Sequence, residues 1–169
     1  DIESLAMLEK DNGDVYFVPA FSGLFSPHWD ETARGSLFGL TRFSNKSHMA
    51  RAVLESVAFQ TYELLESMEK DLDTNFKSLK VDGGLVANNL LMQFQSDILD
   101  KSIHSQEINE ITALGVGVAS YLYVLDLPLS SMGNYITSSK TWNPNMSNET
   151  RINSLESWYK AIEKAKNWL

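Results

Sequence analysis

The chain contains no cysteine. Disulfides, thiolate metal sites and a cysteine nucleophile are excluded together. Long apolar runs are missing as well: none approaches the ~20 residues that a membrane-spanning helix requires. The opening residues Asp1-Ile2-Glu3-Ser4 show no basic stretch leading into an apolar one, so no signal peptide is read there. Basic clusters are absent, and 22 acidic side chains against 14 basic ones leave a net charge of −8. A nucleic-acid partner needs a basic face. A single nucleotide does not, because backbone amides can hold phosphates without net positive charge. No repeat and no low-complexity tract interrupts the chain. Three Asn-X-Ser/Thr triplets, beginning at Asn45, Asn145 and Asn148, are read as chance matches in a cytoplasmic protein.

What is present is an ordinary globular balance, 43% hydrophobic and 21% charged over 169 residues, enough for one domain or one large lobe. Residues 1–10 read as the end of a helix. Val15–Val18 reads as a strand stopped by Pro19, and Ser36–Leu40 as a second strand after a long loop, Phe21–Arg34. Ser47 is expected to cap a helix reaching about Lys70, with Ala50, Val53, Leu54, Val57, Ala58, Thr61, Leu64, Leu65 and Met68 on its apolar stripe. A helix from about Asn88 to Leu99, a strand at Ser102–Ser105 and a nearly all-apolar helix at Thr112–Leu125 follow. The small residues Ala113, Gly115, Gly117 and Ala119 in that last helix predict close packing, which would offset the ~1 kcal/mol cost of each helical glycine. Residues 129–146 read as loop. A final helix spans about 147–168, with Ile152, Leu155, Tyr159 and Ile162 on one stripe. The alternation of helices and strands in the centre predicts an α/β fold with parallel pairing.

The most informative stretch is Leu79-Lys80-Val81-Asp82-Gly83-Gly84-Leu85-Val86-Ala87-Asn88-Asn89-Leu90. A short strand ends at Asp-Gly-Gly and a helix opens at Asn88. Glycines let a chain turn tightly and let a ligand approach backbone, and a helix N-terminus offers free N–H groups to an anion or a polar ring edge. The stretch is read as half of a nucleotide site, with an ordinary Gly-Gly connection between a strand and a helix as the alternative.

Other candidates have plainer readings. His28, His48 and His104 are too scattered for a metal site, and His48 is expected to be a surface imidazole. Asp30 with Glu31, and Glu107 with Glu110, are read as surface acids rather than acid/base pairs. Ser22 lacks the Gly-x-Ser-x-Gly elbow of a hydrolase. Trp29 is expected to be a buried plug pinning its loop, with an interface anchor as the alternative. The final helix, with Trp158, Tyr159 and Trp168, fits either packing on the lobe or docking a partner.

Set in order, several blocks resemble one family. They are Val18-Pro19-Ala20-Phe21-Ser22-Gly23 through Trp29-Asp30, Ala33-Arg34-Gly35 through Arg42, His48-Met49 through Thr61, and Val81-Asp82-Gly83-Gly84 through Leu99. Glu110-Ile111-Thr112-Ala113-Leu114-Gly115 adds a shorter match. The chain resembles the C-terminal lobe of the FGGY carbohydrate kinases, the sugar and polyol kinases that share the actin and Hsp70 ATPase fold, and among them the glycerol kinases.

The resemblance implies an RNase H-like, actin-like ATPase lobe over residues 1–169, helix-rich and without its early strands. It implies an ATP/ADP site at Gly83, Gly84 and Asn88, with Gly84 and Asn88 touching the nucleotide and Gly83 making the turn. Asp82 would orient the loop or a water, or cap its own turn. Catalytic residues, the polyol pocket and the carboxylates that organise Mg2+ are expected in an upstream lobe, so no catalytic or metal-binding residue is assigned here. Glycerol is the implied second substrate of the full enzyme, and the fragment alone is expected to be inactive. The rivals are a lobe of a pentulose or hexulose kinase and a non-catalytic binding or assembly module, with homo-oligomerisation left open. Two departures from the family pattern are His28 for Tyr and Asp100 for Gly; Asp tolerates the left-handed backbone that the second position needs.

Overall fold

The computed structural model describes residues 1–106, 111–134 and 138–169. Ten elements follow one another: α1 (Ile2–Ala6), β1 (Tyr16–Val18), β2 (Ser36–Phe38), α2 (Lys46–Leu72), β3 (Ser78–Val81), α3 (Asn89–Leu99), β4 (Ser102–Gln106), α4 (Ile111–Val124), β5 (Ser138–Trp142) and α5 (Asn148–Ala165). Short 3-10 turns at Gly84–Ala87 and Leu129–Asn134 join them. β1 and β2 pair antiparallel. β3 and β4 pair parallel, in the order β3-β4-β5, and β5 adds antiparallel to β4.

Parallel pairing of β3 with β4 requires a crossover, and α3 supplies it, as the alternating pattern predicted. β5 is an addition to that reading. Ser138–Trp142 has weak alternation and sits among Asn, Pro and Ser, so nothing local marks it as a strand. Its place is set by tertiary contacts: the buried Ser96 hydroxyl donates to Trp142 O (3.1 Å), and Asp97 Oδ1 accepts from the backbone N–H groups of Asn145 (2.6 Å) and Met146 (3.2 Å).

The core is aromatic. Phe59 of α2 stacks on Trp158 of α5 at 5.0 Å and 8°, meets Phe94 of α3 edge-on at 5.4 Å and faces Tyr16 of β1 at 6.0 Å. Four elements thus converge on one ring, and each such ring pair adds roughly 0.5–1.5 kcal/mol beyond simple burial. Around it lie Val18, Leu91, Ile98, Leu99, Ile103, Leu155 and Ile162. The expected α2 stripe is partly displaced: Phe59 and Ala52 are buried, whereas Leu64 and Met68 are exposed. On α5, Leu155, Trp158, Ala161, Ile162 and Ala165 face inward, so this helix packs on the lobe.

α2 is capped by Asn45 rather than Ser47. The Asn45 side chain accepts from Ser47 N (2.8 Å) and His48 N (3.2 Å), and His48 Nδ1 accepts in return from Asn45 N (3.3 Å), a reciprocal capping box. His48 is therefore a tucked capping group rather than a free surface imidazole. At the other end of α3, Asp100 adopts φ 52, ψ 41 and closes the helix in the left-handed conformation, as expected for an Asp standing in for Gly.

Two further expectations fail. Trp29 is 75% exposed, with Phe21 and Phe25 also exposed, so the loop displays its aromatics rather than burying them. The loop is pinned by polar groups instead: His28 Nε2 lies 2.7 Å from the buried Glu63 carboxylate of α2, and Asp30 accepts from Thr32 Oγ1, Thr32 N, Ala33 N and Asn167 N. These donors, the Thr32 hydroxyl foremost, hold the Asp30 carboxyl down to about 2. The close packing expected at the small residues of α4 is also missing among the described residues. A Cβ added at Gly115 or Gly117 would meet nothing within 4 Å, and Val116, Tyr123 and Val124 are exposed, with Val118 and Leu122 buried. Glu107, Glu110, Tyr135 and Ile136 lie outside the described residues.

Candidate functional site

The turn Asp82–Asn88 is built at the carboxyl end of β3. Gly83 has φ +93 and ψ 177, a backbone state that is essentially reserved for glycine. Gly84 does not share it. Gly84 opens the 3-10 turn with ordinary backbone, and an added Cβ would meet no atom within 4 Å at either glycine. The conformational demand sits on Gly83 alone, while Gly84 contributes open space. Asp82 is exposed and its carboxylate makes no hydrogen bond among the described residues, so it does not cap its own turn.

Asn88 has two functions available, and the fold uses one. As N-cap of α3 its Oδ1 accepts from Leu91 N at 2.8 Å. Its Nδ2 donors remain unspent among the described residues. The adjacent amide is also taken: Leu90 N–H donates to Glu3 Oε1 at 3.0 Å, across 87 residues of sequence. The expectation of a helix N-terminus with free N–H groups therefore needs correction. Two of the first amides of α3 are already satisfied, one of them by a carboxylate that also offsets the helix dipole. An anion gains little there. What the turn offers is bare glycine backbone at Gly83–Gly84 and a side-chain amide donor at Asn88, suited to a ring nitrogen or a ribose oxygen. On the neighbouring residue, Lys140 of β5 donates to Asn89 Oδ1 and lies 4.9 Å over the Trp142 ring.

Glu3, Lys140 and the strand that carries Lys140 left no trace in a reading of residues 79–90. Glu3 caps a helix it does not belong to, and only the packing of α1 brings it there. That packing is a small apolar cluster of Ala6, Ala50 and Leu54, with Leu5 and Leu90 against it.

The cavities lie elsewhere. One of about 490 Å3 runs between Tyr16, Phe38 and the Lys160–Lys164 face of α5. Another, about 450 Å3, lies beside Arg51, Glu55 and Gln93. Within it Arg51 Nε donates to Glu55 Oε1 at 2.8 Å and Arg51 Nη1 donates to Glu9 O at 3.0 Å. Burial pushes the Glu55 carboxyl up to about 7 against the opposing pull of the Arg51 guanidinium. Among the described residues the Asp82–Asn88 turn is open surface, so a ligand on it would take its second wall from beyond them. No group of three or more His, Asp or Glu able to hold a metal occurs among the described residues, and no described helix is long and apolar enough to cross a membrane.

Comparison with known proteins agrees with this architecture. A family model described as the C-terminal domain of the FGGY family of carbohydrate kinases matches residues 2–121. Glycerol kinase from Brucella anthropi is 46% identical over 179 aligned residues, which take in 100% of this chain and 34% of that protein. Glycerol kinase from Saccharopolyspora erythraea is 48% identical over 171, with coverage of 100% and 34%. The chain spans about a third of the length of these curated relatives. Among solved structures, Plasmodium falciparum glycerol kinase with ADP superposes with a TM-score of 0.87 at 33% identity, covering 97% of this chain and 33% of that one. A ligand-bound xylulose kinase from Lactobacillus acidophilus gives 0.76 at 24% identity, covering 97% and 33%, a likeness of fold alone. The fold is that of the actin-like, RNase H-like ATPases, as the sequence resemblance implied. Matched over residues 2–121, the chain belongs to the FGGY family of carbohydrate kinases, as its C-terminal domain.

Proposed function

We propose that this chain is the adenine-nucleotide-binding lobe of a glycerol kinase, with its nucleotide site at Gly83, Gly84 and Asn88. The observation that carries the reading is the turn itself: among the described residues, two glycines with open space above them and one asparagine whose amide donors are unspent. Asn88 meets the base or ribose, and Gly84 lets the nucleotide lie against backbone. Gly83 makes the bend. The glycerol assignment is supported by the identity of the relatives that align along the whole chain.

In the complete polypeptide, ATP would transfer its γ-phosphoryl group to a primary hydroxyl of glycerol and yield glycerol 3-phosphate and ADP. Mg2+, when bound, would supply neutralisation of the charge that develops in the transfer. The carboxylates for that metal, the base that takes the hydroxyl proton and the glycerol pocket belong, in this reading, to polypeptide beyond these residues. The role of this chain is to bind and orient the nucleotide and to form one wall of a cleft that excludes water when it closes. A cytoplasmic location is part of the same reading.

The test is a coupled ADP-release assay on the complete polypeptide with glycerol, a pentulose and a hexulose, run beside the 169-residue chain. Glycerol-dependent turnover by the former and none by the latter is expected. Preferential turnover of a pentulose would replace the substrate, and turnover by the chain alone would relocate the chemistry.

A further inference from the structure

We infer that Glu3 is a positioning residue of the nucleotide turn: from α1 it holds the first turn of α3 and so fixes the Asn88 amide that meets the base. The inference rests on the reading that this turn binds an adenine nucleotide.

The contact is specific. Glu3 Oε1 accepts from Leu90 N at 3.0 Å, and Asn88 Oδ1 accepts from Leu91 N at 2.8 Å. Successive amides of one helical turn are thus held by a distant carboxylate and by the ligand-facing side chain itself. Leu90 is also held through its side chain, which packs with Leu5 on the Ala6–Ala50–Leu54 cluster. α1 is in turn fixed at its start by Asp1, whose Oδ1 accepts from Glu3 N at 3.0 Å. Glu3 therefore stands on an ordered element.

Losing the Glu3 contact frees Leu90 N–H, at the second position of α3, which an N-cap side chain such as Asn88 Oδ1 can accept in place of the third. The Asn88 side chain would then be shared between two amides, and its Nδ2 would no longer have a single direction. The effect of disturbing Glu3 should then be the same for ligands with and without phosphates.

The experiment measures ADP and adenosine affinity by calorimetry for the complete polypeptide and its Glu3→Gln, Glu3→Asp, Asn88→Ala and Glu3→Asp/Asn88→Ala variants. Gln keeps the reach and an acceptor oxygen but removes the charge; Asp keeps the charge and shortens the reach. Glu3→Gln should bind both ligands within about 2-fold of the parent, and Glu3→Asp should bind both about 5-fold more weakly. In steady state the KM for ATP of Glu3→Asp should rise with kcat unchanged. Added to Asn88→Ala, Glu3→Asp should cost nothing further, because the group it positions is gone.

A Glu3→Asp protein with parental affinity, or one that loses ADP but not adenosine binding, overturns the positioning role while leaving the nucleotide site in place. So does a second full loss in the double variant. If Asn88→Ala itself binds ADP like the parent, the nucleotide reading beneath the inference is what fails.

Discussion

At Asn88 two functions share one side chain, and substitutions can divide them. Asn88→Ala removes both the helix cap and the proposed ligand donor. It should cost about 1 kcal/mol of stability and, separately, on the order of 1–2 kcal/mol of nucleotide binding. Asn88→Asp keeps an oxygen for Leu91 N and deletes the donors, so its melting temperature should stay near the parent while its ADP affinity falls. Equal affinities for Asn88→Asp and the parent would leave Asn88 with capping alone. The glycines divide in the same way. Gly83→Ala should lose roughly 1–3 kcal/mol of stability, because its φ of +93 is strained for any residue with a Cβ. Gly84→Val meets no such backbone strain, and a Cβ there has no described atom within 4 Å, so thermal melting should change little and any effect should fall on nucleotide affinity. The glycine pair, the helix start and Asn88 could be read from residues 79–90, because turn chemistry is local. Which glycine bears the positive φ could not, since Asp-Gly-Gly permits either.

Among elements, α2 shows how a helix can be anticipated and its working groups missed. Its apolar period was visible, yet Phe59 lies one step off the predicted stripe and forms the centre of the core, because partners from β1, α3 and α5 select it. Glu55 and Glu63, both buried on α2, were unremarkable acids in the sequence. Arg51 and His28 account for them, the first one helical turn away and the second on a distant loop. The raised carboxyl of Glu55 has a consequence for pH. A carboxyl whose folded value of about 7 exceeds its ordinary 4.5 binds its proton more tightly in the folded state. Its stabilising contribution is complete below pH 4.5 and is lost as pH rises through 7. Burial likewise raises Glu63, opposed by His28, in the same direction. Melting curves between pH 5 and 8 should therefore show a loss of stability that is smaller in Glu55→Gln. A Glu55→Gln protein with the parental slope would show that this carboxyl does not titrate in that window.

For the whole molecule, the parallel β3–α3–β4 unit and the family could be reached from the sequence, because the blocks that carry them are contiguous. β5, the Glu3 cap and the exposed faces of α4 could not, because each depends on segments far apart in the chain. The exposed loop aromatics and the open glycines of α4 belong to the same scale as the wall-less turn: this chain spans about a third of its curated relatives' length, and a lobe of a two-lobed kinase would present such surfaces. The central claim is that the Asp82–Asn88 turn binds the base end of an adenine nucleotide. Calorimetric titration of ADP into the complete polypeptide, with Gly84→Val and Asn88→Asp measured in parallel with their melting temperatures, tests it directly. The account predicts that both variants melt near the parent and bind ADP more weakly. Parental ADP affinity in both would contradict it.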